Sequence, residues 1–214
     1  MAVRPVFVPS DTVYVRIVDT EFRFFNGFSA AQRQRSSESL HEAYKRSHNG
    51  SNILEVSSFS TIPLGEKLSA FNLPISLADG TKVPVEVAFQ GGKVFANGGP
   101  YKDLLKATPR DAKRDPRLST SGRIVGFEFE GRRFPTRPET LFYTWLYLHA
   151  LNENPELANE LLQYDAFTDI VFNPNRSINC QAYACAVFVS LHKKSELEKA
   201  LDDLGFLASV LEKG

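Results

Sequence analysis

The chain opens on apolar runs of extended character. Val6-Phe7-Val8 and Val13-Tyr14-Val15-Arg16-Ile17-Val18 are rich in β-branched and aromatic residues, so they predict two strands, separated by Pro9-Ser10-Asp11. Phe22, Phe24 and Phe25 extend a strand into the turn Asn26-Gly27. The period then changes. Over residues 28–46, Ala30, Ala31, Leu40 and Ala43 form an apolar side against Gln32, Arg33, Gln34, Arg35 and Glu38, which predicts an amphipathic helix. A loop at 47–51 precedes a short strand over 52–58 (Ile53, Leu54, Val56). Asp79-Gly80 is a tight hairpin signal, and it leaves Ser69, Phe71 and Asn72 in a loop ahead of the next helix.

That next helix is predicted within 83–101. Pro84 suits a first turn, and Asn97-Gly98-Gly99-Pro100 stops it. Helical spacing puts Glu86, Gln90 and Lys93 at i, i+4 and i+7, on one face. Gly91-Gly92 is out of place there, since each glycine costs a helix roughly 1 kcal/mol against alanine. The expectation is close approach of another backbone or of a ligand.

Downstream, 101–106 predicts a helix. Thr108-Pro109-Arg110-Asp111 has the N-cap and first-turn residues of another, interrupted at Asp115-Pro116. Residues 124–130 alternate like an edge strand. Residues 138–164 predict two helices split near Pro155, with His149 packed in the apolar part. Residues 166–172 predict a strand with Asp165, Thr168 and Asp169 as its polar positions, and 173–177 a loop. An apolar helix over 178–191 and one final amphipathic helix over 195–213 follow.

Composition narrows the class. The 214 residues are enough for a real core, and seventeen phenylalanines make it aromatic. Formal net charge is zero, which argues against a chain coated in basic charge to grip nucleic acid. Residues 110–137 nevertheless hold eight Lys/Arg against four Asp/Glu, a candidate phosphate-contacting rim. The two cysteines, Cys180 and Cys185, lie in an apolar segment and fit a reducing compartment. With no bilayer-length apolar run and no signal-like N-terminus, the expected location is the cytoplasm, away from any membrane. No nucleophile elbow, Walker loop or dinucleotide fingerprint occurs, and neither histidines nor cysteines have metal-ligand spacing, so no metal or cofactor is expected. Carboxylates, amides and a lysine remain for the chemistry.

These residues resemble the NADAR family. Its pattern of a Ser and a Phe in a loop, a hairpin, and a helix reading Glu-x-x-Phe-Gln-x-x-Lys is met by Ser69, Phe71, Asp79-Gly80, then Glu86, Phe89, Gln90 and Lys93. Asn154-Pro155-Glu156-Leu157 through Leu161-Leu162 is similar to a second family segment. With 28–35, Asn97-Gly98-Gly99-Pro100-Tyr101, 165–174 and 177–182, the chain is most similar to the antitoxin branch found beside DarT-type guanine ADP-ribosyltransferase toxins. Two departures stand out. A family tryptophan is replaced by Phe134, and the late Asp-x-x-Trp-Gly run is absent, with Asp169 or Asn173 as its nearest stand-ins.

The resemblance implies an α+β, mostly helical single domain with short strands, organised as a strand/helix extension over 1–50 and a catalytic domain over 51–214. It implies hydrolysis of the N-glycosidic bond between ADP-ribose and guanine in DNA, single-stranded by expectation, as antitoxin to a DarT-type toxin. In that chemistry Glu86 would stabilise oxocarbenium charge or activate water. Lys93 or Gln90 would assist the leaving base, or Lys93 would form a Schiff base. Phe71 and Phe134 would stack on a base. Arg33, Arg35, Lys113 and Arg114 would meet phosphates, as would backbone N–H groups of Gly98 and Gly99. Asp169 completes the implied catalytic set, and Ser69, Asn72, Tyr101 and Asn173 the substrate-binding set. Two other readings fit the same residues: an N-glycosidase for a small riboside metabolite, and an antitoxin that binds without turnover.

Overall fold

The computed structural model describes residues 1–27, 29–173 and 177–213. The chain divides into two units, Met1–Ser69 with Pro155–Gly214, and Ala70–Asn154. The fold class is α+β, as expected.

In the first unit, strands β1 (Ala2–Ser10) and β2 (Tyr14–Phe22) form an antiparallel hairpin registered from Ala2↔Phe22 to Ser10↔Tyr14. Pro5 and Pro9 sit inside β1, and the break expected at Pro9-Ser10-Asp11 falls instead at the turn over 11–13. Both prolines are tolerated because the next strand along meets β1 only at Phe7. That strand, β9 (Ala166–Thr168), pairs in parallel with β3 (Ile53–Glu55), giving the order β2-β1-β9-β3. Helix α1 (Ala30–Ser47) starts where Ser29 Oγ accepts the Gln32 N–H. Its Leu40 and Tyr44 close a core with Val6, Phe22, Ile53, Ala166 and Ile170. The sequence placed the helix start at Phe28, which lies outside the described residues, as do Pro174, Asn175 and Arg176 of the expected 173–177 loop.

Helices α2 (Pro63–Lys67), α7 (Pro155–Leu161) and the apolar α8 (Gln181–Lys193) belong to the same unit, and α2 was not foreseen. The expected single C-terminal helix is two, α9 (Leu197–Asp202) and α10 (Leu204–Leu211). Asp203 divides them because its carboxylate accepts the Gly205 and Phe206 N–H groups and so starts a new helix. The 166–172 strand stops at Thr168, where Asp169 turns the chain by accepting the Val171 and Phe172 N–H groups.

In the second unit, β4 (Pro74–Ser76) and β5 (Lys82–Pro84) pair across the Asp79-Gly80 turn, with Gly80 at φ +83°. Helix α3 (Val85–Gly91) follows at once. Strands β6 (Lys93–Phe95), β7 (Ile124–Phe129) and β8 (Arg132–Phe134) form a sheet in that order. β7 is therefore central rather than the edge strand its alternation suggested. A 3-10 helix (Lys102–Lys106), α4 (Pro109–Arg114) and α5 (Arg117–Thr120) lie between β6 and β7 in sequence. Helix α6 (Leu141–Asn152) is buried nearly all round, so its hydrophobicity has no preferred face. Phe89, Phe127, Phe134, Phe142 and Trp145 stack into an aromatic core with ring centroids 4.8–6.0 Å apart.

Candidate active site

Helix α3 has no side-chain cap. Its first N–H groups are met by a neighbouring loop: Val85 N donates to Leu73 O (3.0 Å) and Glu86 N to Ala70 O (2.8 Å). This fastens the Phe71-Asn72 turn to the helix start, beside Glu86. The helix is short, and the expected continuation to Asn97 does not occur. Gly92 caps it, and the chain leaves as β6 because Gly92 O accepts Glu128 N–H (2.8 Å) from β7. A Cβ on Gly92 would lie 2.8 Å from the Phe142 ring and 2.9 Å from the Glu128 carbonyl. Gly92 thus serves close approach of another backbone, one of the two expected causes, whereas a Cβ on Gly91 would make only ordinary contacts at 3.4 Å with Leu105 and the Tyr101 carbonyl.

Lys93 is consequently the first residue of a strand, not a third point on the helix face. Its side chain still returns to the same place. Lys93 Nζ donates to Gln90 Oε1 (2.7 Å), and Gln90 Nε2 donates to Glu86 Oε1 (2.9 Å). From α4, Lys113 Nζ lies 3.4 Å from the same Glu86 oxygen and 5.2 Å from the Phe71 ring centroid. Glu86 and Gln90 are each 5 % exposed. Lys93 is half-buried with its ammonium 4.7 Å from the Phe89 centroid. Burial pushes its pKa down to about 8. Glu86 opposes that shift and Lys113 adds to it. One row therefore joins an amine, an amide, a carboxylate and a second amine within this unit.

Lys113 reaches Glu86 because α4 starts where the sequence placed it. Thr108 Oγ accepts the Asp111 N–H, Pro109 occupies the first turn, and Ala112 is fully buried. Arg114 at the end of α4 is exposed. Phe71 is half-buried and Asn72 exposed.

Other expected residues are engaged differently. Phe134 is 3 % exposed and wedged between Phe142 and Trp145, so it is core and offers no face to a base. The Gly98 N–H is not free for an anion: it donates to Phe95 O (3.4 Å), and Gly98 O accepts from Phe95 N (2.7 Å). Gly98 also leaves room for the Tyr101 hydroxyl, which bonds Ser121 Oγ. Gly99 has φ +78° and packs where a Cβ would strike Lys93 O. The Tyr101 ring lies under Arg117 at 4.4 Å, and Asp103 and Asp115 hold that guanidinium.

Arg33, Arg35, Ser69, Asp169 and Asn173 belong to the first unit. Arg33 lies over Phe24 (5.9 Å) and Arg35 over Phe25 (4.2 Å). Ser69 is buried. Asp169 Oδ1 holds the turn already described, and Asn173 is half-buried.

One buried carboxylate went unnoticed in the sequence. Glu55 in β3 is 3 % exposed. Its Oε1 accepts from Ser57 Oγ (2.7 Å) and Ile170 N (2.8 Å), and its Oε2 from Thr168 Oγ1 (2.7 Å) and Ser37 Oγ (3.3 Å). Desolvation raises its pKa and these four donors oppose the rise. Because the Thr168 hydroxyl donates to Glu55, the His41 Nε2 beside it at 2.7 Å must carry a hydrogen. Burial pushes His41 down to about 4, with Lys45 adding to the shift. The available signal was an acid inside the otherwise apolar run Ile53-Leu54-Glu55-Val56, with serines nearby.

Among the described residues no group of His, Cys, Asp and Glu is arranged to hold a metal ion. None of their helices is long and apolar enough to cross a membrane. Cys180 and Cys185 are buried and form no disulfide.

A family model described as DarT1-associated NADAR antitoxin matches residues 2–213. The chain belongs to that family. No curated protein matches it. Its NADAR membership, with an antitoxin role tied to a DarT1 toxin, spans both units, since the match covers nearly the whole chain. In this NADAR antitoxin the Glu86–Gln90–Lys93 row lies wholly within residues 70–154.

Proposed function

We propose that this NADAR antitoxin removes ADP-ribose from guanine in DNA by cleaving the N-glycosidic bond. The observation that carries the reading is the hydrogen-bonded row in which buried Glu86 and half-buried Lys93 flank Gln90. Cleavage breaks the bond from the anomeric carbon to the base nitrogen and forms one to a water oxygen. Positive charge grows on the sugar as the base departs, and a buried carboxylate beside it stabilises that charge and takes the proton of the attacking water. The base nitrogen leaves with the bonding electron pair, and in this reading the Lys93 ammonium supplies its proton. Phe71 offers a half-buried ring for stacking, and exposed Arg114 a phosphate contact.

The depressed pKa of Lys93 favours a second route to the same products. With a pKa of about 8, about a quarter of the amine is neutral at pH ~7.5. Neutral Lys93 attacks the anomeric carbon of the opened sugar and expels guanine, and water then hydrolyses the resulting imine.

The test is release of ADP-ribose from a modified guanine oligonucleotide by wild type and by Glu86→Gln, followed by mass spectrometry. Loss of at least about 100-fold in rate with the fold retained is expected, and full activity in the variant would remove Glu86 from the mechanism. Borohydride trapping on Lys93 separates the imine route from direct hydrolysis. Turnover confined to free nucleosides would point to a metabolite glycosidase. Tight toxin binding without turnover would point to a sequestering antitoxin.

A further inference from the structure

Glu86 and Lys93 are one side chain apart, yet they are not paired. Gln90 stands between them: its amide nitrogen donates to Glu86 and its amide oxygen accepts from Lys93. The ion pair of Glu86 is with Lys113 instead, at 3.4 Å. This is an unusual use of a buried acid. Had Glu86 closed directly on Lys93, it would have fixed that lysine as an ammonium, useless for attack on carbon. We propose that Lys113 is a positioning residue for Lys93: by directly engaging Glu86, which the Gln90 amide separates from Lys93, it keeps the Lys93 amine available as a nucleophile.

The surroundings of Lys93 agree. From α3 the facing charge is Glu86, and from α4 it is Lys113. On β7 Lys93 is registered with Phe127, and the next residue, Glu128, is paired with Lys102 (3.3 Å) and Arg133 (3.8 Å). From α6, Tyr143 meets Phe89 edge-on. Burial makes the largest contribution to lowering the Lys93 pKa, Glu86 acts against it, and Lys113 acts with it. Lys113 is itself well exposed, with 57 % of its side chain accessible, so it carries its charge at little desolvation cost. The arrangement is a partly buried amine, a buried acid held off by an amide, and an exposed cation that occupies the acid. Lys113 had been a candidate phosphate contact, and its ammonium has this second task before any substrate arrives.

The inference rests on Lys93 acting as an amine in the proposed cleavage, but its test does not need turnover. Lys93 would be titrated in the full chain by NMR of 13Cε-labelled lysine, its signal assigned by its loss in Lys93→Arg. In Lys113→Met the Lys93 pKa is expected to rise, with proton affinity up by roughly threefold to tenfold. In Lys113→Arg, which keeps the cation, it should stay near wild type. In Glu86→Gln it should fall. These opposite signs separate electrostatic positioning from general loosening, which would carry every variant toward the exposed-lysine value. A Lys93 titration unchanged in Lys113→Met, or moved equally by Lys113→Arg, overturns the inference. The acidic limb of the pH–rate profile for ADP-ribose release should move upward with the NMR value in Lys113→Met. A correct NMR shift with no turnover of modified DNA by any variant would count against the proposed reaction and leave the coupling of Lys113 to Lys93 standing.

Discussion

Replacing Lys93 by methionine should make the protein more stable near neutral pH, and less so as pH rises. Burial, partly opposed by Glu86, brings the pKa of Lys93 from 10.5 to about 8 in the folded chain. In the unfolded chain it returns to about 10.4. Below about pH 8 the folded protein holds an ammonium that the unfolded chain solvates better, so the penalty is fully present there. Between about 8 and about 10.4 the unfolded state binds the extra proton, stability rises with pH, and the penalty disappears. At about 1.4 kcal/mol per tenfold difference in proton affinity the full effect is about 3 kcal/mol, and solvent at a half-buried amine reduces it to about 2 kcal/mol. Methionine keeps the stem but leaves Gln90 Oε1 without its donor, a loss of about 1 kcal/mol that does not depend on pH. Lys93→Met should therefore gain about 1 kcal/mol over wild type at pH ~7 and fall behind by pH ~10. Urea unfolding of both proteins at several pH values measures this directly. A difference that stays flat from pH ~7 to ~10 would refute the claim that Lys93 is held with a depressed pKa.

Glu55→Ala leaves the Ser37, Ser57 and Thr168 hydroxyls and the Ile170 N–H without their acceptor, so chemical denaturation should show a loss of about 3–5 kcal/mol. Gly92→Ala sets a methyl against Phe142 and the Glu128 carbonyl. It should destabilise by about 1–3 kcal/mol despite alanine's better helix propensity, and thermal unfolding would show a lower Tm. ADP-ribose release should weaken with added salt when the substrate is DNA, since phosphate contacts by Lys and Arg release counterions, and a flat salt response would argue against a DNA substrate.

What the sequence made legible was largely local. The Asp79-Gly80 hairpin, the Thr108-Pro109 helix start and the split at Pro155 each follow from residues that dictate backbone geometry on the spot. The row of Glu86, Gln90 and Lys93 was found, but for a partly mistaken reason. Its spacing suggested one helix face, whereas the structure has a seven-residue helix and a strand whose first side chain reaches back. The stop signal was Gly92, and only the position of Phe142 and β7 turns it into one. Asp203 dividing the C-terminal helix carried a readable signal, an acid two and three residues before the N–H groups it caps. A continuous leucine pattern concealed it. Phe134 looked like a stacking residue because nothing local distinguishes a ring offered to ligand from one closed in by Phe142 and Trp145. The Glu55 cluster was the least legible, since of its donors only Ser57 is local, while Ser37, Thr168 and Ile170 are distant in the chain and meet it through tertiary pairing.

The most direct test of the whole account is to incubate the protein with an oligonucleotide carrying ADP-ribosylated guanine and weigh the products by mass spectrometry. The account predicts unmodified oligonucleotide together with free ADP-ribose, and no such release by Glu86→Gln. An oligonucleotide that keeps its full modified mass in the presence of folded wild-type protein would contradict it.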